Sequence, residues 1–111
     1  MKWRDVTPSY TVDSDVTVKD FSVMRFGKIV MVNFYFKLAA AKANNTDILI
    51  ADSLPRPAGY CAQAAVVDAV NSIRGAVAIF YESPIYKRIR CNGQLNNGNY
   101  LITQLIYLTT E

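Results

Sequence analysis

The stretch that decides the fold is residues 26–38, which read Phe26-Gly27-Lys28-Ile29-Val30-Met31-Val32-Asn33-Phe34-Tyr35-Phe36-Lys37-Leu38. After the glycine, apolar side chains recur at every second position, which is the period of a β-strand. One parity is wholly apolar and predicts a core face, made of Val30, Val32, Phe34, Phe36 and Leu38. The stretch therefore predicts a long strand that is entered through a tight turn at Gly27.

The other parity of this strand carries Ile29, Met31, Asn33, Tyr35 and Lys37. A strand face that simply met solvent would not carry isoleucine and methionine. Two explanations stay open at this level. The face is either covered by a second packed layer of the same chain or buried in a contact between subunits.

Further strands are predicted on both sides. Residues 16–26 are rich in strand formers, and their apolar parity changes, which indicates a β-bulge near Lys19-Asp20 or two shorter strands. Strands are also expected within 48–51, 63–70, 76–81, 85–91 and 100–110, although the alanines of 62–70 also fit a helix. Residues 39–47 have helical propensity but are too few for a stable helix.

The last predicted strand is apolar on both parities. Leu101, Leu105 and Tyr107 alternate with Ile102, Ile106 and Leu108, so burial on both sides is expected. Seven or eight short strands separated by Gly, Pro and Asn are typical of an antiparallel β-sandwich. We expect an N-terminal arm or linker over 1–15 and one sandwich domain over 16–111.

The composition points to a partly covered surface. Hydrophobic residues make up 51% of the 111 residues and charged residues 19%, against an average charged share of about 25%. A small domain has much surface, so the low charge indicates cover by another copy of the chain. A monomer with a surface rich in Ser, Thr and Asn is the alternative.

Several functional classes are disfavoured. A net charge of +3 is small for a nucleic-acid binder, and the absence of histidine removes the Ser-His-Asp apparatus and the commonest metal ligand. Cys61 and Cys91 cannot build a zinc site; they form either one disulfide or two reduced, buried thiols. We expect no catalytic residues, no metal, no cofactor, no signal peptide and no membrane insertion.

An acidic pair and two amides have alternative interpretations. The sequence Asp13-Ser14-Asp15 fits a weak calcium site or a solvated turn. Asn33 and Gln104 interrupt apolar strand faces, and we expect them either to pair across subunits or to bond to a neighbouring backbone group within one chain.

Saccharide binding needs an aromatic plane and planar polar side chains. Tyr86 and Arg88 project from one side of a predicted strand, and Arg56, Tyr60 and Asn97 occur at corners and loops. Exposed tyrosines and arginines are also ordinary on β-sandwiches, and loop asparagines mostly make turns. The candidate ligand-binding residues are Arg56, Tyr60, Tyr86, Arg88 and Asn97.

The order of short motifs over residues 16–110 resembles the C-terminal head domain of phage and prophage tail-fibre, baseplate and minor structural proteins. The motifs are Phe26-Gly27-Lys28-Ile29-Val30, Ile48-Leu49-Ile50, Leu54-Pro55, Arg74-Gly75-Ala76-Val77 and Ile106-Tyr107-Leu108-Thr109-Thr110. In that group a Gly-Lys-(Ile/Val)-Val strand leads to a Leu-Pro corner. Here the corner departs from the group's pattern, because Arg56-Pro57-Ala58-Gly59-Tyr60 follows it.

The resemblance implies a jelly-roll-like β-sandwich that forms a homotrimer at a tail or fibre tip of a virion. Such a domain is made in the bacterial cytoplasm, is joined to an upstream fibre or baseplate protein and binds a host cell-surface saccharide. The expected subunit interface comprises Ile29, Met31, Asn33, Tyr35, Ile102, Gln104 and Ile106. The alternatives are a purely structural trimerising cap or decoration domain and a monomeric carbohydrate-binding module.

Overall fold

The computed structural model describes residues 2–70, 72–82 and 87–111. These residues form no α-helix. They form nine strands: β1 (Arg4–Asp5), β2 (Tyr10–Thr11), β3 (Val16–Phe26), β4 (Ile29–Leu38), β5 (Asp47–Ala51), β6 (Cys61–Asp68), β7 (Ile73–Phe80), β8 (Arg88–Cys91) and β9 (Leu101–Leu108). Every described strand pair is antiparallel. The prediction of an antiparallel, all-β, sandwich-like fold is therefore confirmed.

The strands belong to one curled sheet with the order β1-β3-β4-β9-β6-β7-β8-β5-β2. Its two edge strands, β1 and β2, are joined by only residues 6–9, so the sheet curls until its edges meet. The Val6 N–H donates to the Val23 carbonyl on one side (2.9 Å), and the Asp52 N–H donates to the Ser9 carbonyl on the other (2.8 Å). The N-terminal arm thus closes the sheet and adds two short strands to the seven longer ones.

The β3–β4 hairpin confirms the sequence prediction in detail. Phe26 pairs with Ile29, which leaves a two-residue loop, and Gly27 has a φ of +59°. Positive φ at the first loop position is costly for residues with a Cβ and matches the twist of a hairpin. The predicted bulge is also present, because Val18 pairs with Phe36 and Asp20 with Tyr35, leaving Lys19 as the extra residue.

The core lies inside the curl. The predicted core face of β4 is at most 1% exposed at every position, and it packs with inward side chains such as Leu49, Ile79 and Leu105. The rings of Phe34 and Phe36 stack with their centroids 4.2 Å apart. Each such side chain contributes about 1.5–3 kcal/mol through burial.

Other predictions need adjustment. The helical alternative for 62–70 is wrong, because β6 pairs along its length with β7. Residues 39–47 form no helix, as expected, and Lys42 makes an isolated bridge to Leu95. Of the strand predicted over 85–91, β8 comprises Arg88–Cys91 and Lys87 lies outside it, while residues 85 and 86 lie outside the described part of the chain.

Candidate functional site

The side chains of β4 and β9 that point away from the core form one surface, which we call the outer face. The two strands pair directly, with Ile29 opposite Leu108, Met31 opposite Ile106, Asn33 opposite Gln104 and Tyr35 opposite Ile102. All seven residues expected at a subunit interface therefore lie together on two neighbouring strands. The alternating sequence predicts which side chains of each strand share a face. The pairing of β4 with β9 places the outward side chains of both strands side by side.

Much of the outer face is open. Ile106 and Leu108 are each 60% exposed, while the inward neighbour Leu105 is fully buried. Ile29 and Ile102 are also exposed. The described part of the chain packs no second layer over these side chains, so the alternative of an intrachain layer is wrong. The eight residues paired here between β4 and β9 carry no formal charge, whereas Lys37, the next outward residue of β4, is charged.

An amide pair occupies the middle of the outer face. The Gln104 side-chain amide donates a hydrogen bond to the Asn33 side-chain oxygen at 2.6 Å. The Asn33 side-chain nitrogen, Nδ2, lies 3.5 Å from the Ser22 hydroxyl oxygen and donates to it. The two amides thus bond to each other within one chain. This pair divides the face into an apolar end, formed by Ile29, Met31, Ile106 and Leu108, and an end that carries Tyr35 and Ile102.

The second end continues into a group of two tyrosines and two lysines. We call this group the Tyr–Lys cluster; its members are Lys19, Tyr35, Lys37 and Tyr100. The Tyr35 and Tyr100 rings meet edge to face with centroids 5.3 Å apart. The Lys19 ammonium lies 5.1 Å from both ring centroids, and the Lys37 ammonium lies 5.4 Å from that of Tyr100. Cation–π attraction holds the two ammonium groups over these rings.

An open depression adjoins the cluster and the amide pair. Residues of β3, β4, β6 and β9 line it, among them Asp20, Asn33, Tyr35, Val67 and Gln104. The bulge in β3 explains part of this arrangement: Lys19 contacts Tyr35, and the next residue, Asp20, lines the same depression. Bulges commonly redirect side chains in this way.

The candidate ligand-binding residues have different surroundings. The Tyr60 ring contacts Phe80 and Tyr81 (centroids 5.7 and 6.1 Å) and is 66% exposed. The Arg56 backbone bonds to the chain end through Glu111 and Thr109. Arg88 is paired with Asp47 at 3.1 Å. Tyr86 lies outside the described residues.

Asn97 lines a small polar pocket with Arg74 and Asp68. The buried Asp68 carboxylate accepts the Ser72 N–H at 3.0 Å and the Arg74 Nε–H at 2.7 Å. The Ser72 backbone bond and then the Arg74 side chain hold the pKa of Asp68 below its usual value, against the effect of burial. This network closes the β6–β7 turn.

The acidic pair near the N-terminus binds a lysine. The buried Lys42 ammonium lies 2.9 Å from Asp15 and 3.2 Å from Asp13. Desolvation alone would lower the pKa of Lys42, but the hydrogen bonds to Asp15 and Asp13 outweigh it and raise that pKa. The two carboxylates therefore form ion pairs with a buried lysine of the same chain.

The remaining observations concern the cysteines, the possible metal ligands and the membrane-crossing potential of the described residues. Both cysteines are free, Cys91 being buried and Cys61 partly buried, and no group of three or more His, Cys, Asp or Glu side chains is placed to hold a metal ion. The part of the chain that is described contains no helix suited to crossing a membrane. Comparison of the chain with protein-family models, with curated proteins and with solved structures gave no match.

The sequence did not indicate Lys19, Lys37 or Tyr100 as candidate ligand-binding residues. The parity change in 16–26 marked the bulge that redirects Lys19. No sequence signal indicated that Tyr100, which precedes β9, would meet Tyr35, because that contact depends on the register between β4 and β9.

Proposed function

We propose that this chain is a non-enzymatic head domain of a phage-type tail, fibre or baseplate. In this proposal it assembles as a homotrimer through the apolar end of its outer face and binds a saccharide on the host cell surface. The observation that carries the proposal is the exposed apolar end of the outer face, with Ile106 and Leu108 each 60% exposed. Large apolar patches on soluble domains commonly mark interaction sites.

A second copy of the chain fits this surface best. The apolar end of the face is uncharged, so two copies can bring these ends together without like-charge repulsion. The eight residues of β9 and the pairing with β4 give a face of roughly 27 by 10 Å, on the order of 300 Å² before side-chain relief is counted. A standard interface buries about 800 Å² on each partner, so the proposed assembly also buries strands and loops that flank the apolar end.

Symmetry sets the alternatives for the assembly. A two-fold dimer would place the outer face against itself, whereas a three-fold ring divides the face between two neighbours. The trimer is the arrangement expected from the resemblance to tail-fibre heads. Light scattering on the purified chain should give three times the chain mass of 12.4 kDa at micromolar concentration. A particle of single-chain mass would contradict assembly.

The saccharide part of the proposal needs its own test. Wild-type protein should bind whole bacterial cells, and periodate oxidation of the cell-surface glycans should abolish that binding, while protease treatment of the cells should leave it. Binding that survives periodate would contradict a saccharide receptor. A monomer that still binds glycans would instead indicate a carbohydrate-binding module.

A purely structural trimerising cap is a second candidate, and one observation favours it. The described candidate ligand residues Arg56, Tyr60, Arg88 and Asn97 have separate surroundings, and Arg88 is engaged by Asp47. A trimer that binds neither cells nor arrayed glycans would support the structural cap.

A further inference from the structure

We propose that the Tyr–Lys cluster binds the anionic group of an acidic saccharide, whose hydroxyl groups extend into the adjoining depression. This inference rests on the saccharide-binding part of the proposed function and names its ligand class: a sugar that carries a carboxylate, sulfate or phosphate. Its basis is the position of two lysine ammonium groups over the Tyr100 ring, beside a depression whose lining includes Asp20, Asn33 and Gln104.

The two lysines of the cluster differ from the cations that the fold holds in ion pairs. Lys42 is neutralised by Asp13 and Asp15, Arg74 by Asp68, and Arg88 and Arg90 by Asp47. Within the described residues, neither Lys19 nor Lys37 forms an ion pair, although both ammonium groups lie over the same Tyr100 ring.

The two ammonium groups lie 5.1 and 5.4 Å from the centroid of the Tyr100 ring, and an anion bound beside this ring is attracted to both charges. The ring contacts leave both charges available to a ligand, because an exposed cation–π contact is worth only about 0.5–1 kcal/mol. Each ammonium group has three N–H donors, so the pair offers several charge-assisted hydrogen bonds to one anion.

The rings act as positioning groups. Tyr35 and Tyr100 are each half-buried and contact one another edge to face, which limits their rotation. The Lys19 side chain reaches both rings because it is the extra residue of the β3 bulge. Local backbone geometry, cross-strand register and cation–π attraction therefore hold the two cations in place before any ligand binds.

The depression supplies complementary groups for sugar hydroxyls. Tyr35 belongs both to the cluster and to the lining of the depression, where Asp20 and Gln104 also lie. The Asp20 carboxylate can accept hydrogen bonds, and the exposed Gln104 amide can both donate and accept. An acidic sugar can place its anion on the lysines and its hydroxyls on these groups.

The test uses polymers that share one backbone. Carboxymethyl-dextran, dextran sulfate and unmodified dextran are immobilised, and the full chain is passed over each at physiological salt. Wild-type protein should bind one or both anionic polymers at least about tenfold more tightly than dextran. The two anionic polymers distinguish a carboxylate from a sulfate ligand. Equal binding to all three would overturn the inference.

A charge-matched pair of variants separates the site from overall charge. Lys19→Gln with Lys37→Gln should lower affinity for the preferred anionic polymer by about tenfold or more. Lys2→Gln with Lys28→Gln removes the same charge from other exposed positions and should change affinity less than about threefold. Equal losses in both double variants would show a non-specific charge effect and contradict the site.

Light scattering on the same samples keeps this inference distinct from the assembly proposal. Both double variants should retain the wild-type mass, since the lysines lie outside the apolar end of the outer face. A wild-type trimer that binds no anionic polymer would refute the acidic-sugar site and leave the assembly intact. A wild-type monomer with lysine-dependent binding would refute the assembly and leave the site intact.

Discussion

The two faces of the β4–β9 pair are both apolar, yet they meet different surroundings. On the inner face, Phe34 and Leu105 are at most 1% exposed, whereas on the outer face Ile106 and Leu108 are each 60% exposed. The same alternating sequence generates both faces. The difference shows that the same apolar strand pattern can be buried on one side of a sheet and exposed on the other.

A solvated antiparallel sheet usually alternates apolar and polar residues, because only one face needs to be covered. Here the outer face keeps its apolar residues and places a bonded amide pair between them. The inner face therefore accounts for the stability of one chain. The outer face stays exposed in the single chain, so substitutions on the two faces should affect different measurements.

The largest expected effect comes from the inner face. Phe34→Ala should lower the free energy of unfolding by about 3–5 kcal/mol, because it removes a buried ring and leaves a cavity. Urea unfolding followed by circular dichroism measures this change. Phe34→Leu, which keeps most of the volume, should cost clearly less. A loss below about 1 kcal/mol for the alanine variant would contradict the packing described.

A smaller effect is expected on the apolar end of the outer face, and it should appear in assembly. Ile106→Ser should weaken association about tenfold, and adding Leu108→Ser should weaken it further, because each side chain loses about 1–2 kcal/mol of burial in the interface. Sedimentation velocity over a dilution series measures association.

The control for the outer face is Ile50→Ser on β5, where another exposed isoleucine (42%) lies away from β4 and β9. The control should leave association unchanged. The free energy of unfolding of the dissociated chain should change by no more than about 0.5 kcal/mol in any of these variants. Equal effects of Ile50→Ser and Ile106→Ser would remove the distinction between the two surfaces.

The amide pair should have a modest effect on stability and a separate effect on specificity. Asn33→Leu should cost about 0.5–1.5 kcal/mol, because Gln104 loses its partner. The Asn33→Leu and Gln104→Leu double variant should recover stability but form a broader range of masses, since polar groups within apolar surfaces restrict alternative packings. A sharp, unchanged mass in light scattering would show that the pair has no role in assembly.

The smallest effect concerns chemistry and leaves stability unchanged. Burial raises the pKa of the Cys91 thiol to about 11, so at pH 8 only about one thiol in a thousand is ionised and reactive. Iodoacetamide should label Cys61 in the native protein and should reach Cys91 only after unfolding. In a Cys61→Ser variant, mass spectrometry should find no native labelling, and rapid native labelling would place Cys91 outside the core.

Local features of the fold were predictable from the sequence. The β4 alternation, the turn at Gly27 and the bulge at Lys19 each follow from a few consecutive residues. The interface candidates were also identifiable, because Ile29, Met31 and Ile106 are apolar at positions where a solvated strand carries polar groups. The closing role of the N-terminal arm was missed, since two-residue strands carry no periodic signal.

The Tyr–Lys cluster was missed for a related reason. Tyr35 lies on β4, Tyr100 precedes β9, and Lys19 lies in a bulge, so their contacts depend on register across three strands. The candidate ligand residues Arg56, Tyr60 and Asn97 show the reverse case: their chemistry suited a ligand, yet the fold gave them separate surroundings. Residue type indicated what chemistry was possible, while position depended on pairing distant in sequence.

Local sequence is enough to predict that this chain forms β-strands with two apolar parities, because alternation is a local consequence of strand geometry. Which strands became neighbours, and which apolar parity remained outside, depended on the complete fold. The reason is that strand order depends on contacts among residues far apart in the chain, and the closed curl has one interior, large enough for one parity of each strand.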